Sequence, residues 1–261
     1  MGQITFLGSG GGRWATITQR VSTGGFRLEL GKEAVQVDPG PGAILRCKEM
    51  GINPQRTTAI FCSHCHLDHY NDLEVMIEAM CMDKKGNGVL LGSESIVNGF
   101  EKFERPFSDY HRSLLKECKP LSPGDSFSLD GIKVTAKKTA HEDPKAVGAI
   151  FESSEAIVGY VADTSFFPGL AEEYSGCDVL VVNVMRPDSD RIPWHLCTKD
   201  VEKLVDEAKP KQVIMNHFGL KMLSAMPDAQ AARVQKETGV KTRAARDGLV
   251  VKIGIEPGTN R

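Results

Sequence analysis

Hydrophobic and polar positions alternate over short runs along most of this chain, and clusters of glycine, proline and polar residues separate the runs. Period-two stretches of this kind predict strands. In the first half they cover residues 3–7, 26–30, 34–37 and 89–91, with a continuous apolar run at 57–62. In the second half they cover residues 126–129, 133–137, 146–152, 156–161, 179–184, 212–215 and 248–253. Helical spacing interrupts the strands at residues 43–50, from Leu73 through Met76, Ile77 and Met80, and from Ser93 onward. Further helices are predicted around residues 169–174, over 198–208 with Val201, Leu204 and Val205 on one face, and over 228–236. Residues 100–119 mix Phe103, Phe107 and Tyr110 with charged side chains; they predict an amphipathic helical segment broken at Pro106, either a surface helix with a buried aromatic stripe or a lid or dimer contact. Residues 14–22 read as irregular and the tail 256–261 as loose. Strands with interspersed helices in two similar halves, joined without a flexible linker, predict one domain over 1–261: two packed sheets with helices outside, an α/β architecture.

One stretch changes this picture from architecture to chemistry. Ser63-His64-Cys65-His66-Leu67-Asp68-His69-Tyr70 places three imidazoles and a carboxylate within six positions, between the apolar run 57–62 and a helix that Asn71 or Asp72 can cap. Neutral imidazole and carboxylate are the usual ligands of zinc and of divalent iron or manganese. The chain has seven histidines, so three in six residues is a concentration that a polar loop has no need of.

The pattern His64-x-His66-x-Asp68-His69 resembles the HxHxDH signature of the metallo-β-lactamase superfamily in the spacing of its two-metal hydrolases. The resemblance implies a four-layer αββα sandwich with the metals at one edge. It also implies three later ligands: His141 after a strand, Asp163 closing a strand, and His217 closing another. In that scheme His64, His66 and His141 hold one divalent ion, Asp68, His69 and His217 hold the second, and Asp163 bridges. Zinc is the first choice, with manganese or iron as alternatives from the same N/O ligands. Two such ions make hydroxide available at neutral pH. With only two carboxylates the site stays net positive, which favours a small anionic substrate.

Other stretches refine the resemblance. Leu7-Gly8-Ser9-Gly10 after the first strand is similar to the ribonuclease Z and cyclic phosphodiesterase branch, where this loop lines the cleft. Asp38, in Asp38-Pro39-Gly40, is either a turn former or a carboxylate supporting the metal loop. His195, in His195-Leu196-Cys197-Thr198 before a helix, resembles the histidine that binds phosphate and protonates the leaving oxygen in that branch; the alternative is a helix-start residue. Asp68 and His195 are therefore the candidate catalytic residues, and Arg186, Arg191 and Lys221 are candidate phosphate contacts. Ribonuclease Z carries a long basic arm in its second half, whereas residues 141–163 leave room for two strands only. That favours a small, cyclic or nucleotide-derived phosphodiester over tRNA. An ester, thioester or lactone hydrolase and an iron-binding redox or sensor protein are the competing readings.

Composition adds limits. A net charge of −2 does not suit a dedicated nucleic-acid binder. No charged region followed by an apolar one opens the chain and no 18-residue apolar run occurs, so neither a signal peptide nor a membrane span is expected. Seven scattered cysteines suit a reducing cytoplasm. Cys62 is expected in the strand core, Cys65 beside the metals, and His111 on the surface. A homodimer is compatible with the resemblance.

Overall fold

The computed structural model describes residues 1–82 and 86–254, so the tail at 256–261 lies outside the described residues. The first sheet contains β1 (Gly2–Phe6), β2 (Phe26–Leu30), β3 (Glu33–Val37), β4 (Ala59–Cys62), β5 (Val89–Gly92) and β6 (Glu117–Pro120). The second contains β7 (Ser126–Ser128), β8 (Lys133–Lys138), β9 (Val147–Glu152), β10 (Ile157–Val161), β11 (Val179–Asn183), β12 (Gln212–Asn216) and β13 (Lys241–Ala244). The last strand, β14 (Val250–Ile253), returns to the first sheet. The sheet orders are β14-β1-β2-β3-β4-β5-β6 and β13-β12-β11-β10-β9-β8-β7. Strands β3 to β6 run parallel, as do β10 to β13, and the remaining pairs are antiparallel.

Among the described residues ten α-helices join the strands: α1 (Arg13–Thr18), α2 (Ala43–Glu49), α3 (Leu67–Tyr70), α4 (Leu73–Cys81), α5 (Glu94–Val97), α6 (Asp109–Leu114), α7 (Leu170–Glu173), α8 (Thr198–Ala208), α9 (Leu220–Ser224) and α10 (Pro227–Thr238). The pleat of β4 shows how the layers form. Ala59 and Phe61 enter the core between the sheets, while Ile60 and Cys62 pack outward with Met76, Ile77 and Met80 of α4. Across the inner core Phe61 meets Phe151 edge-on at 5.6 Å between centroids, and Phe26 meets Tyr160 at 5.2 Å. These are two mixed sheets flanked by helices, as the patterning predicts.

Three local expectations are corrected. Residues 14–22 are not wholly irregular, because α1 occupies their start. Its only buried residue is Ala15, so it shows no amphipathic period in the sequence. Residues 100–119 hold one short helix, α6, and then β6, which pairs parallel to β5 at the sheet edge. Strand β6 alternates exposed and half-buried positions, the pattern of an edge strand with little apolar signal. Strand β13 was likewise absent from the patterning, its four residues being Lys-Thr-Arg-Ala.

Candidate metal centre

The predicted site residues follow the C-terminal ends of several strands and meet on one rim, the usual location for a site in sheets with parallel strands. His64 and His66 leave β4, and the single turn of α3 carries Asp68 and His69. His141 lies beyond β8, Asp163 beyond β10, and His217 follows β12 directly. Among the described residues four groups have ligand atoms within 4.8 Å of one another: His64, His66 and His141; His64, His69 and Asp163; Asp68, His69 and His217; and His141, Asp163 and His195. All seven predicted metal residues and His195 are thus brought together. Three non-glycine residues with positive φ sit here, Asp38 (46°), Trp194 (67°) and His217 (64°). Backbone strain of this kind collects where the surrounding structure holds a functional geometry.

Oxygen atoms around the cluster fix the imidazole tautomers. The Ser63 hydroxyl donates to Asp38 Oδ2 at 2.6 Å, so its oxygen accepts from His64 Nδ1 at 2.9 Å. His69 Nδ1 donates to Asp38 Oδ2 at 2.7 Å. His141 Nδ1 donates to the Trp194 carbonyl at 3.1 Å and His195 Nδ1 to the Pro193 carbonyl at 3.0 Å. Each of these rings therefore turns Nε2 inward. His66 Nδ1 lies 3.1 Å from Nε2 of both His64 and His141, and His217 Nε2 lies 3.0 Å from His69 Nε2 and 3.1 Å from Asp68 Oδ2. Lone pairs converging at such distances need a cation or a proton between them, so the donor set fits divalent ions.

The electrostatics divide the imidazoles of the cluster into two sets. Burial, then the neighbouring imidazoles, push His64 well below its ordinary value; burial also lowers His66, and it takes His141 down to about 4 against the pull of Asp163. These rings are neutral at pH 7, the form that ligates a metal. Burial works against charge on His69, but Asp68, Asp163 and Asp38 outweigh it and raise that ring well above the usual range. Burial would raise Asp163, but His217 and His69 hold it ionised, and His69 does the same for Asp68. Burial opposes charge on His195 too, and its hydrogen bond to Asp163 Oδ2 at 3.1 Å lifts it.

Asp38 fills both roles that the sequence left open. Its backbone makes the turn, and its carboxylate takes Ser63 N at 2.6 Å, the Tyr160 hydroxyl at 2.5 Å and His69. Cys62 is strand core. Cys65 is buried beside the cluster, with Sγ 3.4 Å from the Glu104 carbonyl, and belongs to none of the ligand groups. Cys197, with Asp200, caps α8, so that position is not taken by His195. Arg186 pairs with Asp190 through Nη1 alone, and Arg191 Nη2 donates to both oxygens of Asp200 at 2.9 Å, so each guanidinium has one nitrogen committed to a carboxylate. His111 is not a free surface residue: it lies 2.9 Å from Glu74 and 3.5 Å from Glu78. Segment 100–119 does border the site, since the Phe103 ring lies 5.9 Å from that of His66.

Sequence reading missed the residues that brace the candidate ligands and the loops around them. Asn183 donates to Asp163 Oδ1 at 2.8 Å and to the Tyr160 hydroxyl at 3.1 Å. Asp143 accepts from Cys65 N at 2.9 Å and Ser95 Oγ at 2.7 Å. Asp247 accepts from Ser9 N at 2.9 Å and Ser22 N at 2.8 Å and so pins the glycine loop, whose Gly12 N–H donates to Asp68 Oδ2 at 2.5 Å. A lone Asp or Asn far along the chain carries no local signal of such a role.

Residues 34–218 match the Beta-lactamase superfamily domain. An uncharacterized protein of Methanocaldococcus jannaschii is 45% identical over 255 residues, covering 96% of this chain and 95% of its own. A ribonuclease Z of Mycobacterium bovis is 23% identical over 243 residues, covering 83% and 85%. The fold is shared with a solved diphosphatase from the PhnP family at a TM-score of 0.70 and 19% identity, covering 97% of this chain and 98% of that one. No helix among the described residues is long and apolar enough to cross a membrane. The fold, the convergent His/Asp cluster and the extent of these matches make the chain a member of the beta-lactamase superfamily, a family of metal-dependent hydrolases.

Proposed function

We propose that this protein is a two-metal phosphodiesterase acting on a small anionic substrate. The observation that carries the reading is His195, a histidine outside the six-residue motif whose Nε2 faces Asp163 at 3.1 Å while its Nδ1 is committed to a backbone carbonyl. The names of a ribonuclease relative and a diphosphatase neighbour support phosphorus–oxygen chemistry. His64, His66 and His141 would hold one divalent ion and Asp68, His69 and His217 the other, with Asp163 shared; zinc is the first candidate. Bound there, the ions supply Lewis acidity, acidifying water and offsetting negative charge that develops on the substrate.

The chain's own groups do the rest. Asp38 and Ser63 keep the rings of His69 and His64 in the tautomer that presents Nε2. Asn183 fixes the Asp163 carboxylate. His195, anchored at Nδ1, can hold a proton at Nε2 and deliver it to a departing oxygen. Strands β9 and β10 occupy the stretch between His141 and Asp163 with no inserted arm, which supports a small substrate over a folded RNA.

Protein reconstituted with Zn²⁺ or Mn²⁺ should release nitrophenolate from bis(p-nitrophenyl) phosphate, and stripping the metal should abolish this. Absence of turnover with either metal across neutral pH overturns the proposal. Ester turnover that His195→Ala leaves untouched would point to a carboxylic ester hydrolase.

A further inference from the structure

The chain has two tryptophans, and both are exposed, Trp14 at 63% and Trp194 at 45%. Tryptophan carries the largest side chain, and folding normally covers most of it. Neither indole has a ring or hydrogen-bond partner among the described residues. Each nevertheless sits on backbone that is bonded to the metal-ligand cluster. Trp14 is the second residue of α1, two after Gly12, whose N–H donates to Asp68. Trp194 immediately precedes His195, and its own carbonyl receives His141 Nδ1.

The two contacts fall on different parts of the cluster. Asp68 belongs with His69 and His217, and His141 with His64 and His66. Leu67, 50% exposed, lies in the chain between ligands His66 and Asp68, and α1 packs against the turn that contains it. Trp194 is also held at φ 67°, a conformation that a bulky residue rarely adopts and that glycine would take without strain. Trp194 thus leaves nearly half of its large side chain to solvent on strained backbone, a cost that its partial packing alone does not explain. An uncovered indole offers a face for stacking a flat ring, a contact that tolerates many ring types.

We propose that Trp14 and Trp194 are specificity-determining residues, forming a subsite that stacks a planar aromatic group carried on the anionic ester bound at the cluster. This rests on the phosphodiesterase reading for the kind of ester and on the tryptophans for the ring. Nucleobase and simple aryl group share the required chemistry.

The test uses the full chain reconstituted with Zn²⁺ and pairs of unreactive probes that differ in the ring. The pairs are phenylphosphonate against methylphosphonate, adenosine 5′-(α,β-methylene)diphosphate against ribose 5′-(α,β-methylene)diphosphate, and benzoate against acetate. Binding is read by calorimetry and by tryptophan fluorescence. The ring-bearing member should bind about tenfold tighter or more and quench saturably. Trp14→Ala and Trp194→Ala should each erode that advantage without changing affinity for the ringless probe, and Trp194→Phe should retain most of it. The larger advantage between the adenosine and phenyl pairs names the ring.

No ring preference in any pair overturns the proposal, as does a preference that survives the double alanine variant. Phosphonates that bind without a ring advantage uphold the phosphorus reading and sink the subsite. Benzoate bound over acetate while every phosphonate fails does the reverse. Quenching that tracks dimer formation in sedimentation, without any probe, assigns these surfaces to a second copy and overturns the proposal too.

Discussion

His195 is anchored by the Pro193 carbonyl at one nitrogen and faces Asp163 at the other, and it also belongs to a group with His141 and Asp163 that could itself hold an ion. Acid and ligand make different predictions for His195→Ala. As a proton donor its loss leaves metal content and folding intact and costs roughly 10²–10⁴-fold in rate on substrates with a poor leaving group. The loss should shrink for nitrophenolate, which departs without a proton. Metal analysis beside kinetics on an alkyl and a nitrophenyl ester decides: depleted metal makes His195 a ligand, and equal losses on both esters reduce it to positioning. The residues of the site were unequally legible. His64, His66, Asp68 and His69 are neighbours in sequence, so their convergence shows as a local pattern. His141, Asp163 and His217 emerged only through resemblance, because each alone is an ordinary residue at a strand end.

The glycine loop after β1 shows what patterning cannot reach. Its glycines read as a turn, yet the structure uses them for close approach. A Cβ on Gly11 would fall 2.1–2.2 Å from ring atoms of His217, a distance no side chain tolerates. His217 cannot yield freely, because its Nε2 is placed against His69 and Asp68. Gly11→Ala should therefore displace that ring, lower metal content toward one ion per chain, and cost on the order of 10²-fold in kcat/KM, the scale of an ångström misplacement. An alanine variant with full metal and full rate would show that the loop moves instead. The strands were legible wherever the buried face carries large apolar side chains. They were lost at β6 and β13, edge positions whose residues alternate without a strong apolar set. Helix α1 was lost because it exposes Trp14 and Ile17 and buries only Ala15, so the period that reveals a helix is absent.

At the scale of the whole molecule the cluster is a junction between the two sheets. His64, His66, Asp68 and His69 leave β4 of the first sheet, while His141, Asp163 and His217 leave β8, β10 and β12 of the second. Every ligand group that includes a histidine of the first sheet also includes a residue of the second. An ion at either position therefore ties the sheets at the rim, beyond the reach of the Phe61–Phe151 and Phe26–Tyr160 contacts in the core. Ions that bind the folded chain and not the unfolded one add stability as RT ln(1 + [L]/Kd), about 2.7 kcal/mol at a hundredfold excess over Kd. For a chain of this size each kcal/mol moves Tm by about 2–4 °C, so chelation should lower Tm by about 5–10 °C for each ion removed and roughly 10–20 °C for both. Tm should recover when Zn²⁺ or Mn²⁺ is returned in excess over the chelator. The loss should come with weaker amide-exchange protection at the ends of β4, β10 and β12, where the ligands attach, while the middle of the inner core stays protected. An unchanged Tm in protein shown to be free of metal would mean that the rim is held by the Asp38, Tyr160 and Asn183 hydrogen bonds alone, and that the ions serve chemistry without serving the fold.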